Sequence, residues 1–240
     1  MGHYDAFAEE YDQIVNRQAQ VIECAYRYVL EHLGDVLSKQ VCDLGCGQGE
    51  LSRRISQLKA DVTGVDYSGE LLEFARAHEP TIEVQWVHDD AQVLNSLADG
   101  MFDTVISNLM LMDVPDYKNV FRSAFRVLKP NGRMIWTITH PCFLSPHSEP
   151  APDADGVIRY RIVKTYRETW WKSVGHGTIR STLGAYHRPL SSYINAFLMA
   201  GFHLNEMSEP TVEMDLVSSP NEITHTEIPP ILGVIGSKVL

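Results

Sequence analysis

Basic residues are scarce in this chain: 20 Lys and Arg stand against 31 Asp and Glu, a formal charge of −11 with histidine neutral. Affinity for a phosphate backbone comes from counterions displaced by Lys and Arg, so the balance argues against a nucleic-acid partner. No run reaches the length of apolar sequence that a membrane-spanning helix needs. The opening MGHYDAFAEEYD has no basic n-region and no apolar h-region, so no signal peptide is expected, and Ala6 breaks the myristoylation pattern. Cysteine is sparse as well. Cys24, Cys42, Cys46 and Cys142 form no Cys-x-x-Cys and no Cys/His zinc spacing. They read as reduced thiols of a cytoplasmic protein, and no metal site is expected.

What is present is enough for one domain with a sizeable core: 240 residues, 44% of them hydrophobic. Residues 3–33 carry apolar positions at helical spacing and end at Gly34. Short apolar strands are then predicted at Gln40–Leu44, Asp61–Val65, Ile82–Val87, Phe102–Ser107 and Arg133–Thr139. Helices are predicted between them, one capped by Ser68 and one running from Asp116 to Leu128 before Lys129-Pro130-Asn131-Gly132 stops it. That alternation predicts an α/β fold, a parallel sheet with helices on both faces. The rhythm breaks at His140. Residues 141–156 are proline-rich and acidic and read as an exposed loop, and 157–187 read as aromatic-rich strands. A helix at Leu190–Ala200 and strands at Phe202–Met207 and Ile231–Val239 resume the pattern.

The strand-to-helix turn Asp43-Leu44-Gly45-Cys46-Gly47-Gln48-Gly49 lets a ligand approach bare backbone. It is not a P-loop, because no Gly-Lys-Ser/Thr follows. A dinucleotide fingerprint wants glycine at the sixth position, where Glu50 would repel a pyrophosphate. Carboxylates instead stand at successive strand ends: Asp43, Asp66 and Asp90. Asp66 stands where an acid meets a ribose diol at the switch point of an open sheet. The set suits a ligand with hydroxyls, amino groups and positive charge but no phosphate.

With these segments the chain resembles the class I S-adenosylmethionine-dependent methyltransferases, in particular the small-molecule branch that includes ubiquinone and menaquinone methyltransferases. The matching stretches are VCDLGCGQG (41–49), GVDYS (64–68), HDDA (88–91), FDTVISNLMLMDVPD (102–116) and RVLKPNGRMIWTITHP (126–141), and YDAFAEEYD (4–12) resembles that branch's capping helix. The resemblance implies a Rossmann-like, seven-stranded, mostly parallel sheet with S-adenosylmethionine as cofactor. It implies one domain over 1–240, with an N-terminal helical cap over 1–35 and a substrate-cover insertion over 141–190.

The implied roles follow the matching positions. Gly45, Cys46, Gly47 and Gly49 would pass along the methionine and ribose portions, and Asp43 would anchor the amino end. Asp66 would take the ribose hydroxyls and Tyr67 would pack on the adenine. Asp90 would accept from the adenine amino group, with the Ala91 backbone beside it. Asn108 and Leu109 would face the methionine part, and Tyr11 would close the pocket. Asp113 stands where the branch often carries histidine, and Lys-Pro-Asn-Gly replaces the commoner Pro-Gly-Gly. The alternatives are a nucleic-acid or protein methyltransferase on the same fold, a non-catalytic cofactor-binding module, and a nicotinamide oxidoreductase.

The methyl acceptor is expected to be a small molecule with an N, O or C nucleophile. The insertion's aromatics, Tyr160, Tyr166, Trp170, Trp171 and Tyr186, suit a planar or apolar one, with His176 among them. A general base, if the acceptor arrives protonated, is expected at His187 or, second, His140, with Tyr186 and Asp113 as further candidates.

Overall fold

The computed structural model describes residues 19–78, 81–156, 158–173, 179–217 and 223–239. The chain runs through α1 (Ala19–His32), β1 (Gln40–Leu44), α2 (Glu50–Gln57), β2 (Asp61–Asp66), α3 (Gly69–Ala77), β3 (Val84–His88), β4 (Phe102–Asn108), α4 (Tyr117–Val127) and β5 (Leu128–Thr139). It then leaves the sheet for β6 (Glu149–Pro152), β7 (Ile158–Ile162), β8 (Thr169–Trp171), α5 (Ile179–Thr182) and β9 (Ala185–His187). It returns through α6 (Leu190–Met199), β10 (His203–Ser208), α7 (Thr224–Glu227) and β11 (Ile231–Ser237).

Seven strands pair in the order β10-β11-β5-β4-β1-β2-β3. β1 to β5 are mutually parallel, and β11 and β10 add antiparallel on the β5 side. This is the Rossmann-like, mostly parallel sheet that the pattern predicts. Successive side chains of a strand point to opposite faces, so a strand covered on both faces is apolar throughout. Val105, Met134 and Trp136 pack with Phe121 of α4 and Phe197 of α6. Their neighbours Ile106 and Ile135 pack on the other face with Ala25 and Val29 of α1 and Ile55 of α2.

The predicted starts of two helices hold at atomic detail. Ser68 caps α3 through its hydroxyl, which accepts from the Leu71 amide at 3.2 Å. Asp116 caps α4 by accepting from the Asn119 amide at 3.1 Å. Elsewhere boundaries move. The fifth strand starts at Leu128 rather than Arg133, because Asn131 takes a left-handed φ of 61° and its amide bonds to the Lys238 carbonyl at 2.9 Å. The turn residues thus extend the strand through a register shift against β4. The third strand begins at Val84, after Ile82. Part of the expected loop at 141–156 is strand β6, paired antiparallel with β7. A two-stranded ribbon is all edge, so Pro150 and Pro152 are tolerated there. Of the predicted N-terminal helix, Ala19–His32 is observed, and residues 3–18 lie outside the described residues.

Candidate active site

The carboxyl ends of β1, β2, β3, β4 and β5 open into one cavity of about 500 Å³. The strand order reverses at β1, which pairs with β2 on one side and β4 on the other, so the cavity spans the switch point of the sheet. The glycine turn forms its floor. Gly45, Gly47 and Gly49 have φ of 71°, 55° and 82°, conformations that side chains rarely adopt. The Gly45 and Cys46 amides both donate to the Val65 carbonyl, at 2.8 and 3.0 Å, which ties the turn to β2.

Asp66 is the hub of that floor. Its Oδ2 accepts from the Gly47 amide at 2.8 Å and its Oδ1 from the Ser68 amide at 2.8 Å. Asp43 lies deeper, 2% exposed, and accepts from the Ser52 hydroxyl at 2.6 Å. Burial pushes its carboxyl up to about 6, against the pull of that hydrogen bond. Asp90 is clamped by Gln92, whose amide nitrogen meets both carboxylate oxygens at 3.0 Å. The same Gln92 accepts the Asp116 amide through Oε1 at 2.9 Å, so one side chain joins the β3 loop to the start of α4.

The end of β4 is bent by strain. Leu109 sits at φ 53°, and its amide reaches both the carbonyl and the hydroxyl of Thr137 at 3.1 Å. The Thr137 hydroxyl in turn donates to Asn108 Oδ1 at 2.6 Å. A left-handed leucine costs energy, and strain of this kind gathers at functional sites. Tyr67 leaves 44% of its surface exposed and stands edge-on to His88.

Among the residues expected from the sequence, Asp43, Gly45, Cys46, Gly47, Asp66, Tyr67, Asp90, Ala91, Asn108 and Leu109 all line the cavity. Gly49 does not. Its bare face meets the Trp86 ring, where a Cβ would collide, so its glycine serves packing against β3 and the left-handed turn. Tyr11 lies outside the described residues.

Neither histidine reaches the cavity. His140 is 1% exposed; its Nε2 meets Glu209 at 2.7 Å, the Cys142 amide donates to its Nδ1 at 3.2 Å, and its ring stacks on Phe143. His187 is buried, with Nε2 on the Tyr166 carbonyl at 3.2 Å. Burial holds both imidazoles below their ordinary value. Along β8 and β9, Trp170 lies opposite Tyr186 and both line the cavity, while Thr169 lies opposite His187 and neither does. His176 lies outside the described residues, and Trp171, Tyr160 and Tyr166 stand off the cavity.

Other lining residues escaped sequence reasoning. Ile22 and Tyr26 of α1 face the cavity, although their helical spacing marks them only as core. Burial, then the Asp43 and Glu50 carboxylates, push the Tyr26 phenol far up, and the Arg54 guanidinium lies 5.0 Å from its ring centre. Arg180, Leu183 and Gln92 also line the cavity. Arg188 lies behind the wall, 1% exposed; its guanidinium donates to the carbonyls of Leu111, Val114 and Pro115 at 3.0, 2.7 and 3.0 Å and stacks on Tyr117 and Tyr186. It thereby sets the loop that carries Asp113, which does line the cavity.

Comparison with known proteins agrees with this geometry. A family described as a methyltransferase domain matches residues 42–136. The ubiquinone biosynthesis O-methyltransferase of Shewanella pealeana is 32% identical over 112 residues, 46% of this chain and 48% of that protein. Its counterpart from Escherichia coli is 33% identical over 46% of this chain and 47% of its own length. The chain thus spans about half the length of the curated relatives it matches, 48% in the first case. Among solved structures, an S-adenosylmethionine-dependent methyltransferase from Mesorhizobium loti superposes with a TM-score of 0.75 at 25% identity, covering 89% of this chain and 97% of that one. A structure described as a putative one from Listeria monocytogenes has a TM-score of 0.78 at 23% identity, covering 92% and 100%, a likeness of fold.

Proposed function

We propose a small-molecule methyl acceptor for this chain, which belongs to the class I S-adenosylmethionine-dependent methyltransferases and takes S-adenosylmethionine as its cofactor. When bound, that cofactor supplies a methyl group on a sulfonium sulfur, activated for in-line displacement.

The residues present fit the cofactor. Asp43 is a buried carboxylate whose partner here is a neutral hydroxyl, an arrangement that a cationic amino group would relieve. Asp66 accepts a backbone amide on each carboxylate oxygen, and an ionised carboxylate is an acceptor-only group of about four lone-pair sites, the chemistry that a diol's two donors need. Asp90 stands at the far strand end for an exocyclic amine, with Tyr67 between them for a flat base. In this reading the chain binds and orients. The bent Asn108-Leu109 corner sets the position of the methionine portion, Ile22 and Tyr26 cover it, and the insertion excludes water. Aligned reactants reach effective molarities of about 10⁵–10⁸ M, so positioning alone supplies most of the acceleration.

The observation that carries the small-molecule reading is the wall made by the insertion. Trp170, Leu183 and Tyr186 line the cavity from the insertion side, and among the described residues Arg180 is the one basic residue in the lining, so the cavity is not a basic groove. Because His140 and His187 stand off the cavity, Asp113 and Tyr186 are the two of the four base candidates expected from the sequence that line it. The test is a transfer screen with labelled cofactor against amines, phenols and enolizable carbonyls, run beside RNA and protein substrates. Turnover on a small acceptor supports the reading, and label found only on a macromolecule overturns it.

A further inference from the structure

The order β5-β4-β1-β2-β3 places the acids Asp66 and Asp90 toward one end of the cavity and the end of β5 toward the other. At the β5 end stands Arg180, from α5. Among the described residues it is the one Lys or Arg that lines the cavity. Its Nη2 donates to the Thr139 hydroxyl at 2.9 Å, and no carboxylate of the described residues lies within ion-pairing distance of it. An arginine with no carboxylate partner among the described residues is unexpected in a chain of net charge −11. The side chain is half-buried, beside Trp170 and Leu183, where a lone charge is costlier than in water. Thr139 fixes one arm of the guanidinium, and the rest of its donor fork is unused by the described residues. Such a fork matches a carboxylate in a bidentate geometry.

We propose that Arg180 makes the β5 end of the cavity a carboxylate-binding subsite, so that the acceptor is a small apolar acid held by its carboxylate at Arg180 and by its body against Trp170. The assignment to the acceptor rests on the small-molecule reading above. The apolar wall and the single cation divide the recognition: the wall takes a flat or aliphatic body, and the cation fixes which end enters. The competing ligand for Arg180 is the carboxylate of the cofactor itself.

The two are separated by a binding experiment that needs no turnover. Protein saturated with S-adenosylhomocysteine is titrated with 2-naphthoate and with 2-naphthamide, which share a ring and differ in charge, and heat or tryptophan fluorescence is followed. The wild type should bind the acid about tenfold more tightly than the amide, Arg180→Gln should erase the difference, and Arg180→Lys should restore part of it. Affinity for S-adenosylhomocysteine should stay within about twofold in both variants, which also checks that they fold. Equal binding of the two probes by the wild type, or binding of neither, overturns the proposal. A loss of about tenfold or more in S-adenosylhomocysteine affinity in Arg180→Gln overturns it too and assigns the side chain to the cofactor. If the acid preference and its loss in Arg180→Gln are seen while label in the transfer screen goes only to a macromolecule, the carboxylate subsite stands and the small-molecule reading falls.

Discussion

The two walls of the cavity are built differently. On the sheet side, the polar groups are already wired to their neighbours: Asp66 to two backbone amides, Asp90 to Gln92, Asn108 to Thr137. On the insertion side, the elements are two-stranded ribbons and a single turn of helix. Trp170 exposes 53% of its surface there, and among the described residues Arg180 has one side-chain partner, the neutral Thr139. A wired wall holds its shape before a ligand arrives, so little ordering is left to do on binding. A wall of exposed rings and a lone cation leaves its contacts to be made by the ligand. On the proposed function, the contrast puts the cofactor on the sheet wall and acceptor choice on the insertion wall, and each substitution below acts on one wall.

The largest effect is expected at Asp66. Asp66→Ala removes the acceptor of two backbone amides and, on the proposed function, a partner of the ribose, and should weaken cofactor binding by about 2–4 kcal/mol. Calorimetric titration of the folded variant measures it. An affinity within about threefold of the parent would break the contrast, because the sheet wall would then hold its ligand without its hub.

Asp43 sharpens the same wall through pH. Its folded-state value is raised from 3.8 to about 6 by burial, so the native state holds the extra proton between those values. Stability therefore falls as pH rises through that window, and the cost is fully present above it. Asp43→Asn should remove this slope and raise stability near neutral pH by about 1–3 kcal/mol, while weakening the cofactor. Thermal melts across pH 4 to 8 read the first effect, and titration with the cofactor reads the second. A variant that is less stable than the parent at neutral pH would show that the Ser52 hydrogen bond outweighs the burial cost.

Trp170→Ala tests the other wall. Its indole packs over Gly184, where an added Cβ would come within 2.7 Å, and lies open to the cavity. Acceptor affinity should fall by about 0.5–1.5 kcal/mol, the range for an aromatic contact, with cofactor affinity unchanged. Equal losses of both ligands, in matched titrations, would make the insertion a structural part of the cofactor site.

Much of the sheet wall was legible in the sequence, for a physical reason. Parallel strands buried on both faces are short apolar runs, and whatever follows them lies at one edge of the sheet. That is enough to bring Asp43, Asp66, Asp90 and Asn108 together. Direction is harder to read than position. Gly49 belongs to the glycine turn by spacing, but its bare face is claimed by Trp86, a residue of another strand. Tyr26 shares its helical spacing with the core residues Ala25 and Val29, and spacing does not tell a cavity from a core. Arg180 was invisible because its significance is its place in the cavity without a counter-charge among the described residues, which only three dimensions reveal.

The histidines mark the same boundary, and they carry the smallest expected effect. A residue directly after a parallel strand belongs at the open edge, which makes His140 a reasonable candidate for a base, and His187 is one because it follows the insertion and precedes Arg188-Pro189 at a helix start. A base must reach the proton it takes, by a direct hydrogen bond or through one water. His140 instead spends both ring nitrogens on Glu209 and the Cys142 amide, and His187 turns toward the Tyr166 carbonyl behind β9. His187→Ala should therefore leave turnover within about fivefold of the parent, whereas loss of a true base costs about 10²–10⁴-fold. Its cost should appear in thermal stability, at about 1 kcal/mol for one lost hydrogen bond. Steady-state rates and melts on the same preparation read both. A hundredfold fall in turnover with cofactor affinity intact would mean that β9 turns during catalysis, bringing His187 into the place that Tyr186 holds here.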